Sequence, residues 1–376
     1  ASHIPRPVFC ARRGEPAFRA MSATARERIL YCIAVYDNSQ LIYTRTMLDG
    51  ARDMCEAGFR LRVVLLTAHP ELLTPLDDLK AALSCANRDG ALELELAVRP
   101  PATKKALTLE HRRLMWDRLD AHDLFIYAED DIGITLAHLS AWLSETRRLA
   151  TRRYMVGFMR YERALLFGPT LNGRGGIAYD AGRLQHGARS ERVVWEHAPA
   201  SLHVLRLGGE LYYQPETVHH GMWIANRKQL LSIQSRCHQL MTRPCDVERY
   251  SRGRERLFAA GELYSCGASS MVIPVERVAS HLVHHLPDKN WYSRSRGRCL
   301  WAEESLLSHS RRVVERCRGP APGACVEQRR YQRLVPGPNR TFDCAAAGLT
   351  PVAEYTNGSM PGPQGKPPRP SARRSG

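Results

Sequence analysis

The chain has 376 residues, 44% hydrophobic and 24% charged, which is globular composition and enough for one large α/β domain or two smaller ones. No run of about 18 apolar residues is present, so nothing in the sequence reads as a membrane-spanning helix. The net charge of +16 raises nucleic acid as a partner, but the arginines are scattered rather than gathered in one stripe with interleaved aromatics. An anionic small molecule such as a nucleotide diphosphate accounts for the excess equally well, and no nucleic acid is expected.

Residues 1–24 are rich in arginine and proline, lack periodicity, and are expected to form a disordered basic extension. "RILYCIAVYD" (28–37) is an apolar run that Asp37 interrupts, so it reads as a strand rather than a signal-peptide core. Leu41, Tyr43, Met47, Leu48, Ala51 and Met54 then recur at helical spacing, and Gly58 supplies the stop. "LRVVLLTA" (61–68) is a second buried strand and "ALELELAVRP" (91–100) a third, with period-2 alternation. "KKALTLEHRRLMWDRLDAHD" (104–123) predicts an amphipathic helix that leads into the strand "LFIYA" (124–128). Alternating strands and helices with continuous apolar strands predict a doubly wound, mainly parallel sheet. Such sheets bind ligands at the carboxyl ends of their strands.

The second half reads differently. "YMVGFMRYE" (154–162) is expected to be a strand, and residues 163–190 are Gly-rich and irregular. "RVVWEHA", "HVLRLGGELYYQ" and "HHGMWIA" suggest antiparallel strands. "NRKQLLSIQSRCHQLM" (226–241) predicts a helix capped by Asn226, and another opens at Asp246. "SMVIPVERVASHLVHHLPDKNW" gives a strand and then a histidine-rich stretch. From Gly319 onward the chain is Pro- and Gly-rich, with a disordered tail expected beyond Gly358. None of the eleven cysteines forms a CxxC pair, which disfavours a zinc ribbon. Cys299, Cys317, Cys325 and Cys344 gather late, near sequons at Asn339 and Asn357. An oxidising secretory compartment is therefore the expected setting.

Three stretches can carry chemistry. In "YAEDDIGIT" (127–135), Glu129, Asp130 and Asp131 stand together at a strand end. Such acids repel unless a cation offsets them, and Mn2+ or Mg2+ takes one or two carboxylates plus phosphate oxygens; a solvated acidic turn is the bland alternative. In "HLVHHLPDKNW" (281–291), His281, His284 and His285 stand beside Lys289. An imidazole there can complete a metal site, and the lysine can neutralise a phosphate. In "HHGMWIANRKQLL" (219–231), Gly221 permits close backbone approach. Met222 and Trp223 there form either an apolar platform for a sugar ring or part of a buried strand.

"LFIYAEDDIGIT", following a βαβα unit, resembles the metal-binding DxD signature of glycosyltransferases with the GT-A fold. "HLVHHLPDKN" resembles the C-terminal histidine segment that completes the metal site in many members. The first acid here is Glu129 rather than aspartate, a departure from the signature. In element order the resemblance runs over about residues 28–291. It implies a GT-A-like α/β fold, with an N-terminal doubly wound sheet merged with a mixed acceptor-binding half. The catalytic domain would cover 25–310, split into a nucleotide-binding half (25–135) and an acceptor half (136–310), before a Cys/Pro/Gly-rich segment (311–357) and the tail (358–376).

By the same resemblance, Mn2+ or Mg2+ would be held by Glu129, Asp130 and Asp131 together with His284 or His285, while His281 packs elsewhere. Asp37 would contact the base and ribose of a nucleotide-sugar donor, and Lys289 its diphosphate. Asp246, Glu248 and Glu262 are candidates for the base that an inverting mechanism needs. The acceptor would be a carbohydrate, glycoprotein or lipid hydroxyl, and the setting the Golgi or ER lumen. A nucleotidyltransferase is the nearest alternative, but "VYDNSQLIY" lacks its Gly-rich phosphate loop. A non-catalytic carbohydrate- or nucleic-acid-binding protein is the third.

Overall fold

A computed structural model describes residues 27–87, 89–149, 154–166, 189–194, 202–215, 221–237, 240–242, 270–287, 299–318 and 350–351. The expected terminal extensions and the helix expected from Asp246 lie outside these residues.

The first sheet contains β1 (Arg28–Val35), β2 (Arg60–Thr67), β3 (Ala91–Val98) and β4 (Leu124–Glu129), all parallel. A later strand, β11 (Met222–Asn226), adds antiparallel to β4, giving the order β11-β4-β1-β2-β3. The chain moves outward from β1 through β2 to β3, then returns to the other side of β1 as β4. That reversal opens a crevice between the carboxyl ends of β1 and β4, the place where doubly wound sheets take their ligands.

Both faces of this sheet are covered. On one face α1 (Leu41–Glu56), α2 (Leu73–Ala82) and α4 (Leu136–Arg148) pack Met47, Ala51, Leu76, Leu139 and Trp142 against Tyr31, Ile33 and Ile126. On the other, α3 (Leu107–Asp117) and α5 (Arg227–Arg236) pack Leu107, Met115, Leu230 and Ile233 against Leu30, Cys32 and Phe125. Burial of each such side chain contributes roughly 1.5–3 kcal/mol. Cys55 and Cys85 form a disulfide that ties the end of α1 to the loop after α2. Cys237 and Cys317 are also disulfide-bonded.

Several boundaries differ from the sequence expectation. The helix expected over 104–123 is α3 alone, with 3-10 turns at 101–106 and 119–121 on either side. Arg118 leaves the helical region at φ −113°, and Glu95 on β3 grips its guanidinium with two bonds of 2.7 Å. The helix expected over 226–241 stops at Arg236, although its cap is as foreseen: Asn226 Oδ1 accepts from the Gln229 N–H at 2.9 Å. Helices α2 and α4 were not anticipated, nor was α6 (Glu303–Arg318), which runs across position 310.

The expected strand at 154–162 is two strands in different sheets, β6 (Tyr154–Val156) and β7 (Met159–Leu166), parted at Gly157 and Phe158. β6 joins β9 (Leu202–Leu207), β10 (Glu210–Pro215) and β12 (Ser270–Pro274). β7 sits in a third sheet between β8 (Arg189–Val194) and β13 (Leu282–His285), which in turn pairs with the two-residue β5 (Ile132–Gly133). β14 (Cys299–Ala302) and β15 (Thr350–Pro351) extend the β8 side. The described residues thus form a mixed α/β fold with three sheets, and among them no helix is long and apolar enough to cross a membrane.

Candidate functional site

The site forms where β4 ends. Its last residues are apolar and fully buried through Ala128, so the strand carries the three acids after it into the crevice. The Glu129 N–H donates to Gly221 O at 2.7 Å and the Asp130 N–H to Ala34 O at 3.1 Å, which pins the stretch between β11 and β1. Asp130 Oδ2 accepts from the Tyr36 N–H at 2.8 Å, so this side chain fastens the first residue after β1. Burial, and then the neighbouring Asp131, push the Asp130 carboxyl well above the usual range; the Tyr36 amide opposes them, and Glu129 and Asp37 add to them. Asp37 itself is exposed and caps the turn at 38–40, accepting from the Ser39 N–H at 2.8 Å.

Chain pairing brings the late histidines here. β13 runs antiparallel to β5, with His285 opposite Ile132, and the Leu286 N–H donates to Asp131 O at 2.8 Å. His285 Nε2 lies 3.1 Å from Asp131 Oδ2, and Nδ1 hydrogen-bonds Glu162 Oε1 on β7. The expected meeting of a late imidazole with Asp131 is therefore present. Burial disfavours the imidazolium, but the hydrogen bonds to Asp131 and Glu162 outweigh it and raise the pKa of His285. Arg160, 3% exposed and two residues before Glu162, adds a buried cation to this group of acids.

The other histidines face elsewhere. His284 points to the opposite side of β13 and stacks on Tyr161, with ring centroids 5.0 Å apart. His281 packs on Phe158, and its Nδ1 bonds Arg277 O at 3.0 Å. Met222 and Trp223 are fully buried, so the buried-strand reading holds and the sugar-platform reading does not. The Trp223 Nε1–H donates to His111 Nε2 at 3.2 Å, and that imidazole stacks on Tyr127 at 3.8 Å. Lys289, Asp246, Glu248 and Glu262 lie outside the described residues.

Three contributors escaped the sequence reading. Glu162 and Arg160 were read only as part of a strand; charges within an apolar run were the available signal. His138 sits in the unanticipated α4. Its Nδ1 accepts from the Thr135 N–H at 3.1 Å and its Nε2 bonds Leu282 O at 2.9 Å, which fastens β13 to the start of that helix.

Among the described residues no set of three or more His, Cys, Asp or Glu side chains converges as a ready-made metal cage. A pair does converge. Asp131 Oδ2 and His285 Nε2 are 3.1 Å apart, close to the roughly 3 Å that separates adjacent ligands of an octahedral ion with bonds of about 2.1 Å. The second nitrogen of that histidine already faces a carboxylate, the usual companion of a metal-bound imidazole. These residues fit a divalent ion that takes its remaining ligands from phosphate and water.

No family model and no curated protein sequence matches this chain. Among solved structures, S. aureus TarS 1-349 is similar over 71% of this chain and 63% of that one, with 9% identity and a TM-score of 0.33. The chain thus spans just under two thirds of the length of that TarS 1-349 chain. An active-site mutant of LgtC is similar over 64% of this chain and 72% of that one, at 13% identity and a TM-score of 0.29. Scores this low say nothing about the chemistry, which has to come from the residues themselves.

Proposed function

We propose that this protein is a metal-dependent glycosyltransferase that moves a sugar from a nucleotide-sugar donor to a hydroxyl acceptor on a glycan, protein or lipid. The observation that carries the reading is the pairing of Asp131 with His285 at the β1/β4 crevice. A doubly wound sheet binds nucleotides at that crevice, and a carboxylate–imidazole pair there suits Mn2+ or Mg2+.

Asp131 and His285 would hold the ion, with Glu129 beside them and Asp130 keeping the end of β1 in place through Tyr36. When bound there, such an ion would supply Lewis-acid stabilisation to a departing diphosphate. The chain's own part is to orient. Asp130 fixes the β1 end against the acids, and β13 delivers one imidazole from more than a hundred residues away. Gly221 closes the third side with its carbonyl on the Glu129 amide. Asp37 and Lys289 remain the proposed contacts to ribose and diphosphate, and Asp246, Glu248 and Glu262 the proposed base candidates. The Cys55–Cys85 disulfide and the two sequons support a setting in the secretory pathway.

The test is a panel of nucleotide sugars incubated with the purified chain, with Mn2+, with Mg2+ and with chelator. Metal-dependent release of nucleotide from one donor is the expected outcome. Release of pyrophosphate from a sugar phosphate and a nucleoside triphosphate would mark a nucleotidyltransferase instead.

A further inference from the structure

We propose that Glu162 is the positioning residue for His285, presenting Nε2 of that ring to the metal. This deepens the proposed function and rests on it. An imidazole that binds a cation through Nε2 must carry its proton on Nδ1, and a free ring has no strong preference between the two arrangements. Here the choice is made by the fold. Glu162 is 0% exposed and His285 2% exposed, and Nδ1 of the ring is bonded to the Glu162 carboxylate. Neither can turn to water for a substitute partner, so the Nδ1–H stays on Glu162 and Nε2 faces Asp131, where a bound cation would take the place of the Nε2 proton.

The strand register supports this arrangement. β7 and β13 run parallel with His284 beside Tyr161, so the next residue of each strand, His285 and Glu162, meets on the opposite face. That face is the one that looks toward Asp131. On the back, the His284–Tyr161 stack holds the two strands together without using the site residues, and the Arg192 guanidinium on β8 lies 4.9 Å from the same Tyr161 ring. Glu162 therefore acts through His285, with no contact of its own to the ion required. A purely structural buried pair between β7 and β13 is the competing explanation, and it makes a different prediction for metal affinity.

The experiment measures Mn2+ binding to the full chain by calorimetry and by electron paramagnetic resonance, with no substrate present. Wild type should bind Mn2+ and show one imidazole nitrogen coupled to it, and His285→Ala should lose that coupling. Glu162→Ala should weaken Mn2+ binding by about 100-fold, and Glu162→Gln, which keeps a neutral acceptor at the same reach, by about 10-fold. Melting in the absence of metal reports whether each variant is folded; if the alanine variant is not, the glutamine variant decides. Folded Glu162 variants that bind Mn2+ as wild type does would overturn the positioning role while leaving the metal site intact. A wild-type chain that binds no Mn2+, or whose binding is indifferent to His285→Ala, would overturn the metal-dependent reading itself and this inference with it.

Discussion

In the parallel sheet, every residue of β1 from Ile29 to Val35 is completely buried and none is charged. In the sheet that meets it at Asp131, the buried positions of β7 and β13 include Arg160, Glu162 and His285. The first region is specified by local hydrophobic pattern, because a run of apolar residues can be a buried strand almost whatever lies beside it. The second is specified by complementarity between distant segments, since each buried charge requires its own partner. Substitutions in the first region should register as lost stability, and those in the second as lost function or lost attachment.

The largest effect expected is from Asp131→Asn, on the border between the two. Loss of one charged group that organises stabilisation of a leaving group costs on the order of 10²–10³ in turnover. Metal-dependent transfer should therefore fall at least that far, while the melting temperature stays near that of the wild type. Two effects oppose each other in the stability: the variant loses the charged bond to His285 but relieves repulsion from Asp130 and Glu129. Activity retained with unchanged Mn2+ dependence would remove Asp131 from the site.

Glu145→Ala tests attachment rather than chemistry. This carboxylate, 1% exposed, accepts from the Tyr212 hydroxyl at 2.5 Å and from the Arg277 guanidinium at 2.9 Å. It thereby joins α4 to β10 and to the segment that leads into β13. Hydrogen bonds to Arg277 and Tyr212 outweigh burial and hold its pKa below the usual carboxylate range. Arg277 is 30% exposed and keeps Glu210 as a second partner, so the loss should be that of a charged hydrogen bond, about 1.5–3 kcal/mol. A urea titration should show that loss; a change under about 1 kcal/mol would mean that apolar packing alone seats the second sheet.

Acid should loosen the same attachment by another route. His138 is neutral in the fold, its pKa lowered to about 4, chiefly by burial, and then by the nearby His281. Its Nδ1 accepts from an amide, so protonation would set donor against donor. Because the folded value lies below the ordinary 6.5, the stabilisation is complete above about pH 6.5 and is lost as the pH falls toward 4 and below. The loss should reach roughly 3 kcal/mol for this residue. Melting curves between pH 7 and 4 should fall less steeply for His138→Gln than for the wild type, and parallel slopes would dismiss the mechanism.

This contrast also explains what the sequence revealed. Strands β1, β2, β3 and β4, their parallel direction and the acids at a strand end could all be read from apolar runs and position, while the order β11-β4-β1-β2-β3 could not. The helices α2 and α4 also carry usable periodicity, with Leu139, Trp142 and Leu143 on one face of α4. Glu162 was of a different kind. Its charge inside β7 was the one local signal, and that signal does not reveal its role, which depends on a histidine 123 positions later in a neighbouring strand. His285 and His284 were equally legible as ligands until β-pairing assigned them to opposite faces.

The smallest effect expected, and the finest test of how tightly the two regions are joined, comes from a pair of glycines. Gly221 has φ +60° and Gly209 has φ +91°, so alanine at either position is strained, typically by about 1–2 kcal/mol. Their surroundings differ. A Cβ at Gly209 would meet nothing within 4 Å, whereas one at Gly221 would lie 3.2 Å from Ile132 Cγ1 and 3.4 Å from Arg160 Nη1. Gly209→Ala therefore measures the backbone cost alone. Gly221→Ala adds pressure on β5 and on the buried arginine, against a turn whose carbonyl holds the Glu129 amide. The expected result is a stability loss for Gly221→Ala that exceeds the Gly209→Ala loss by up to about 1 kcal/mol, together with weakened Mn2+ binding that Gly209→Ala does not share. Equal losses with unaltered metal affinity would show that β11, β5 and β7 meet loosely enough to absorb a methyl group, and that the acids are positioned by β1 and β13 alone.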